Sequence, residues 1–122
     1  MPVRWEQLVV DADDPARLAR WWAEALGYVI VRETPGEVEI RRSADELPGL
    51  LFTPVADAKK TKNRLHIDLR PEDQESEVER LVNMGARPAD IGQGDPAWVV
   101  LADPEGNEFC ILDSKPPIKR SS

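Results

Sequence analysis

The same order of predicted elements occurs twice along this chain, and the second copy follows the first by 59 residues. Each half begins with a short apolar strand, continues with a helix that starts at an aspartate, and ends with further strands. A βαβββ unit of this size covers one face of its sheet with its helix and leaves the other open. We therefore predict an α+β fold: two βαβββ modules form one curved mixed sheet around a cleft, with the helices on the outside. The corresponding positions are Gln7 and His66, Asp14 and Asp73, and Leu51 and Cys110.

The first half contains a well-marked helix. Asp13-Asp14-Pro15 predicts its start, because Asp caps free N–H groups and Pro needs no partner in the first turn. Gly27 predicts its end. Trp21 and Trp22 are adjacent, and we expect one to pack under the sheet and the other to lie at a rim or a subunit interface. Strands are predicted at residues 5–10, 28–32, 38–40 and 50–55, with a loop at 41–46.

The second half follows a polar, basic linker at residues 57–62. It repeats the pattern with a strand at 65–69, a helix that opens at Pro71-Glu72-Asp73 and stops at Gly85, and a short strand at 87–89. The apolar stripe of this helix consists of Val78, Leu81 and Val82. The two predicted modules span about residues 1–56 and 63–113 of a single domain, and residues 114–122 form a loose tail.

A hairpin is predicted to close the second half. Asp103-Pro104-Glu105-Gly106 separates two apolar runs and has the residue types of a tight turn. Because side chains alternate along a strand, Glu108, Cys110 and Leu112 share one face of the strand that follows the turn, and Phe109 and Ile111 share the other.

Composition excludes several classes of function. The 122 residues carry a net charge of −7, which makes nucleic acid and anionic membrane surfaces poor partners. The single cysteine permits no internal disulfide and no CxxC zinc pair. No stretch resembles a secretory signal or a membrane span, so we expect a cytoplasmic protein.

Three motifs resemble those of the vicinal oxygen chelate superfamily, the glyoxalase, bleomycin-resistance and extradiol-dioxygenase group. They are Ala12-Asp13-Asp14-Pro15 with residues 21–27, Leu65-His66-Ile67-Asp68-Leu69, and residues 103–110. The resemblance covers about residues 3–113 and is greatest to the short glyoxalase-like domains common in bacteria. It implies a ligand-binding cleft between the modules and, in many members, a homodimer.

The resemblance also implies where a metal would bind. Metal-using members take their ligands, typically His or Gln, Glu, His and Glu, from the first and last strands of each module. The matching positions here are Gln7, Leu51, His66 and Cys110. Leu51 has no donor atom, and Cys110 stands where a carboxylate is expected. A thiolate suits zinc better than harder ions.

Each polar candidate has a functional and a structural interpretation. His66 is a metal ligand or a general base, or it is hydrogen-bonded to Asp68 or to the backbone. Cys110 is a thiolate or a small buried apolar residue, and the second is the more usual behaviour. Gln7 coordinates a metal ion or hydrogen-bonds a bound molecule, or it is only a polar residue on a half-exposed strand. Glu108 is a substitute ligand or proton acceptor, or it is solvated, and Asp68 is likewise an acceptor or solvated.

Two hypotheses of function follow. The first is a glyoxalase-like protein that binds a small organic molecule in the cleft, with a degenerate or absent metal site. The alternative is a lyase or dioxygenase that uses a divalent metal ion to chelate vicinal oxygens of its substrate. Trp5 and Trp98 are placed on strands, where they either line the cleft or pack in the core or a dimer interface. The residues expected to line the cleft are Gln7, Leu51, His66, Asp68, Trp98, Glu108 and Cys110.

Overall fold

The computed structural model describes residues 2, 4–55, 67–89 and 98–114. Contacts between Cα atoms divide the chain into two compact units, Met1–Lys59 and Lys60–Ser122, which we call module 1 and module 2. The predicted linker at 57–62, the residue His66 and almost all of the predicted tail lie outside the described residues. Within the described ranges, neither helix is long and apolar enough to cross a membrane.

Module 1 has the predicted βαβββ order. The elements are β1 (Gln7–Ala12), α1 (Pro15–Leu26), β2 (Val29–Glu33), β3 (Val38–Arg41) and β4 (Gly49–Pro54). The strands form a four-stranded sheet in the order β1-β4-β3-β2, in which β1 runs parallel to β4 and the other neighbours are antiparallel. The strand β1 begins two residues later than predicted, so Trp5 lies before it and is exposed.

Local sequence sets both ends of α1. The Asp14 carboxylate accepts a hydrogen bond from the backbone N–H of Arg17 at 3.3 Å, and Pro15 occupies the first turn. Gly27 ends the helix with a φ of 70°, the left-handed conformation that a residue without a Cβ adopts most easily. The predicted start and stop are both confirmed.

The expectation for the two adjacent tryptophans was wrong. Trp21 and Trp22 are both buried, and their rings meet edge to face with centroids 5.1 Å apart and planes 81° apart. An apolar stripe at least 100° wide accommodates neighbouring helix positions, and edge-to-face contact is a preferred aromatic geometry. Neither ring is left at a rim.

The pleat of the module 1 sheet separates an apolar face from a polar one. The buried side chains of Val38, Ile40 and Phe52 share the apolar face, and so does Glu33, whose register partner is Val38. Arg20 of α1 pairs with Glu33 at 2.9 Å, which places α1 over this face. The opposite face, which we call the polar face of module 1, is therefore the one that α1 leaves uncovered.

Module 2 repeats the arrangement with shorter strands. The elements are β5 (Ile67–Leu69), α2 (Gln74–Asn83), β6 (Arg87–Pro88), β7 (Val99–Ala102) and β8 (Glu108–Ile111). The sheet has the order β5-β8-β7-β6, with β5 parallel to β8. In α2, Leu81 is buried but Val82 is exposed, so the predicted apolar stripe was too wide by one residue.

The strand registers confirm the repeat. In module 1, Val9 pairs with Leu51, and in module 2, Asp68 pairs with Cys110. Each pair is 42 residues apart, and the second pair follows the first by 59 residues. The helices start at equivalent positions too, since Asp14 and Asp73 are their N-caps. The two modules therefore share one construction despite their weak sequence identity.

The closing hairpin depends on a buried carboxylate. Asp103 is fully buried, and its Oδ1 accepts hydrogen bonds from the backbone N–H groups of Glu105 and Asn107, both at 2.9 Å. The side-chain amide of Asn107 donates to the same carboxylate at 3.0 and 3.2 Å. Gly106 completes the turn with a φ of 88° and donates its N–H to the Asp103 carbonyl at 2.9 Å.

We predict that Asp103→Ala lowers the free energy of unfolding by about 2–3 kcal/mol, because the donors of Glu105 and Asn107 lose their acceptor inside the turn. Asp103→Asn keeps an oxygen for the two backbone donors and should cost about half as much. Urea denaturation followed by circular dichroism measures both variants. Equal stability of wild type and Asp103→Ala would contradict this account of the turn.

Candidate functional site

Two rows of residues cross the polar face of module 1. Partners in register share a face, so Val9, Leu51, Glu39 and Arg32 form one row across β1, β4, β3 and β2. A neighbouring row begins with Gln7 and its register partner Gly49. The face therefore combines an apolar side, made by Val9 and Leu51, with a charged side on β3 and β2.

Gln7 and Leu51 both lie on this face, two positions apart along their strands. The side-chain amide of Gln7 forms no hydrogen bond within the part of the chain that the structure describes, and the residue is half-buried. Leu51 is 7% exposed, and its side chain is hydrocarbon. One of the two predicted positions thus offers polar atoms, and the other offers packing surface.

The carboxylate of this face comes from a residue that sequence reasoning did not select. Glu39 is the register partner of Leu51 on β3, and its side chain is only 7% exposed. Its Oε2 accepts a hydrogen bond from Arg41 Nε at 2.9 Å and lies 2.8 Å from Arg41 Nη2. Its Oε1 lies 3.8 Å from Arg32 Nε, too far for a hydrogen bond. Oε2 is therefore hydrogen-bonded to Arg41, and Oε1 accepts no hydrogen bond from a described residue.

Arg41 is held in place by more than its partner Glu39. Its Nη1 donates to the carbonyl oxygen of Ala44 at 2.8 Å, and its Nη2 lies 4.0 Å from the exposed carboxylate of Glu6. A paired, buried carboxylate requires such a partner, because an isolated buried charge is strongly unfavourable. The Ala44 carbonyl orients the guanidinium, which in turn orients Glu39.

Gly49 provides the space that this ion pair occupies. A Cβ on Gly49 would lie 3.1 Å from Arg41 Cγ and 3.1 Å from Glu39 Oε2. Those distances are tighter than ordinary van der Waals contact, so a side chain at this position would displace the pair. The glycine thus lets the Arg41 side chain and the Glu39 carboxylate lie against β4, opposite Gln7.

The residues of module 1 do not fit the metal centre that the superfamily resemblance implies. Leu51 supplies no donor, and the guanidinium of Arg41 already neutralises Glu39. A divalent cation that coordinated this carboxylate would have to share it with the guanidinium already bound to its Oε2. Among residues 4–55, 67–89 and 98–114, no three His, Cys, Asp or Glu side chains are grouped so that they could hold a metal ion.

Module 2 places three other predicted residues on one face of its sheet. Asp68 pairs in register with Cys110, and Glu108 lies two positions from Cys110 along β8. Phe109 and Ile111 occupy the opposite face, as predicted. Cys110 is 2% exposed, which matches the behaviour of a small buried apolar residue.

The last two predicted residues are not on described strands. His66 lies outside the described residues. The strand assignment of Trp98 was wrong, because β7 begins at Val99 and Trp98 precedes it in a bend, where it is 41% exposed. A tryptophan at such a position is not part of the core.

A signal for the missed residues was present in the sequence. Val38-Glu39-Ile40-Arg41 alternates apolar and charged residues, which places Glu39 and Arg41 on one face of a strand and opposite charges at adjacent positions on that face. The alternation does not reveal that Glu39 is buried. That follows from the β3–β4 register and from the small size of Gly49.

Solved structures resemble this chain along nearly its whole length. A glyoxalase/bleomycin resistance protein/dioxygenase family enzyme from Burkholderia phytofirmans is 12% identical with a TM-score of 0.68, over 93% of this chain and 100% of that one. A glyoxalase-related enzyme from Fulvimarina pelagi is 16% identical with a TM-score of 0.65, over 88% and 86%. The trypanothione-dependent glyoxalase I of Leishmania major is 17% identical with a TM-score of 0.65, over 93% and 88%. At these identities the likeness shows a shared fold.

The search of curated proteins found no match. In contrast, the profile of the family described as Glyoxalase-like domain matches residues 7–112, which include every described strand and both helices. That span also includes the three motifs that carry the superfamily resemblance. The chain belongs to the glyoxalase-like domain family.

Proposed function

We propose that this glyoxalase-like protein binds a small organic molecule and that its metal site is degenerate or absent. The observation that carries the proposal is Leu51, a buried hydrocarbon side chain at a position where metal-using members of the superfamily place a carboxylate. The face around it has the features of an organic ligand site, namely apolar surface beside a few polar groups. We place this small-molecule binding in the cytoplasm.

The ion pair of Glu39 and Arg41 supports the same conclusion. A guanidinium 2.8 Å from the buried carboxylate supplies a fixed positive charge to this face. The face therefore needs no metal ion to neutralise Glu39. The Gln7 amide adds a donor and an acceptor that can reach a ligand from β1.

We predict that protein purified without added metal contains far less than one equivalent of zinc, nickel, manganese or iron. Titration of chelator-treated protein with each metal should show no saturable site, and His66→Ala should leave the titrations unchanged. Elemental analysis and isothermal titration calorimetry measure the two quantities. Stoichiometric binding that His66→Ala abolishes would overturn the proposal and would favour a metal-dependent lyase or dioxygenase.

A second prediction concerns Leu51. Leu51→Glu places a carboxylate directly across from Glu39 at a buried position, so we expect it to lower the free energy of unfolding by about 3 kcal/mol. Leu51→Met conserves volume and should cost less than about 1.5 kcal/mol. Millimolar zinc or manganese should not restore the stability of Leu51→Glu. If it raised the denaturation midpoint of this variant and not that of Leu51→Met, the remaining ligands of a metal centre would be in place.

We further propose that the protein is a homodimer. The apolar residues Val29 and Ile30 are exposed on β2, which is an edge strand of its sheet, and uncovered edge strands are prone to association. Light scattering should give a particle of twice the chain mass of 13.7 kDa. A single-chain mass at working concentration would exclude the dimer without affecting the ligand-binding proposal.

A further inference from the structure

We propose that Glu39 selects the ligand: its Oε1 accepts a hydrogen bond from a hydroxyl or ammonium group on a small molecule with an apolar body. The inference rests on the proposed binding function and names the chemistry that the site recognises. It assigns ligand recognition to a residue of β3, whereas the superfamily resemblance implies site residues on the first and last strands of each module. The geometry that supports it lies entirely within module 1.

Glu39 has one carboxylate oxygen available to accept a hydrogen bond from a ligand. Arg41 donates its hydrogen bond to Oε2, and Arg32 Nε lies 3.8 Å from Oε1, beyond hydrogen-bond distance. No fully buried side-chain oxygen or nitrogen of the described residues lacks a hydrogen-bond partner, so Oε1 retains contact with solvent. A carboxylate whose side chain is 93% buried thus presents one oxygen to a molecule that reaches this face.

The charge of the groups around Glu39 limits the charge of the ligand. The ion-pair network on and beside this face contains three carboxylates, those of Glu6, Glu37 and Glu39, and two guanidinium groups, those of Arg32 and Arg41. Its net charge is therefore −1. Such a network attracts a cationic donor, tolerates a neutral one and repels a carboxylate ligand.

Apolar side chains beside Glu39 provide a surface for the apolar body of the ligand. Leu51 is the register partner of both Glu39 and Val9, so the three side chains stand in one row across three strands. Val9 is 51% exposed although it lies in the middle of β1. Adjacent strands are about 4.8 Å apart, so the row spans about 10 Å, enough to accommodate a benzyl group that carries one polar substituent. The Gln7 amide lies beside this row as a further polar contact.

Four aromatic probes of similar size test separately whether the ligand needs a hydrogen-bond donor and which charge it can carry. Benzyl alcohol is a neutral donor, benzylamine is a cationic donor, benzyl methyl ether has no donor, and benzoate is an anion. We expect the backbone amide signals of Glu39 and Leu51 to shift in NMR titrations with the alcohol and the amine. The ether should bind about tenfold more weakly than the alcohol, because a hydrogen bond to an ionised acceptor is lost. Benzoate should bind least.

The variant Glu39→Gln tests the residue itself. It should weaken the binding of benzyl alcohol and of benzylamine about tenfold and leave the affinity for the ether unchanged. Glu33→Gln is the matched control, because Glu33 also pairs with an arginine of module 1 but lies on the face that α1 covers. It should leave all four titrations as they are in wild type. Should Glu39→Gln fail to fold, the comparison of alcohol with ether on wild type still decides the inference.

Three results would overturn the inference. They are equal binding of alcohol and ether to wild type, unchanged binding of the alcohol to Glu39→Gln, and no shift with any of the four probes. The proposed binding function is judged separately, by the metal titrations and by whether other organic molecules bind at this face. Binding that is insensitive to Glu39 would refute the inference and leave that function standing.

Discussion

Each sheet of this protein depends on the parallel pairing of its first strand with its last. In module 1 this pairing joins β1 to β4, and in module 2 it joins β5 to β8. Parallel neighbours need a crossover, and the helix supplies part of it by lying across one face of the sheet. In module 1 the face next to the helix carries the buried side chains of Val38, Ile40 and Phe52. The side chains that can contact a ligand are therefore those on the other face, at every second position along each strand.

On the polar face of module 1 the decisive interaction is the pairing of Glu39 with Arg41. A buried carboxylate is tolerated when it is paired and hydrogen-bonded, and the guanidinium meets both conditions across Gly49. The pair also determines what the face can bind. It occupies the carboxylate with a permanent cation, so that one oxygen remains for a ligand donor and a metal ion would compete with the fixed charge.

Local chemistry predicted the elements well, because capping and turn residues act over a few positions. Asp14, Gly27 and the turn at Asp103 each determine their own segment of backbone, and each prediction was confirmed. Packing was harder to predict, as the burial of both Trp21 and Trp22 shows. For the candidate site, alternation along the predicted strands puts Gln7 and Leu51 forward, and their part in a binding site stays a prediction. The burial of Glu39 depends on a cross-strand register that no local pattern encodes.

The repeat allows the two faces to be compared position by position. The row Val9, Leu51, Glu39 in module 1 corresponds by register to Asp68, Cys110, Val100 in module 2. The acidic residue lies on the third strand of the first module and on the first strand of the second, while the last strand carries a buried side chain with no carboxylate in both. The two last-strand positions therefore contribute packing rather than charge. The two modules therefore differ in which strand carries the carboxylate, and in module 1 Arg41 holds that carboxylate in place.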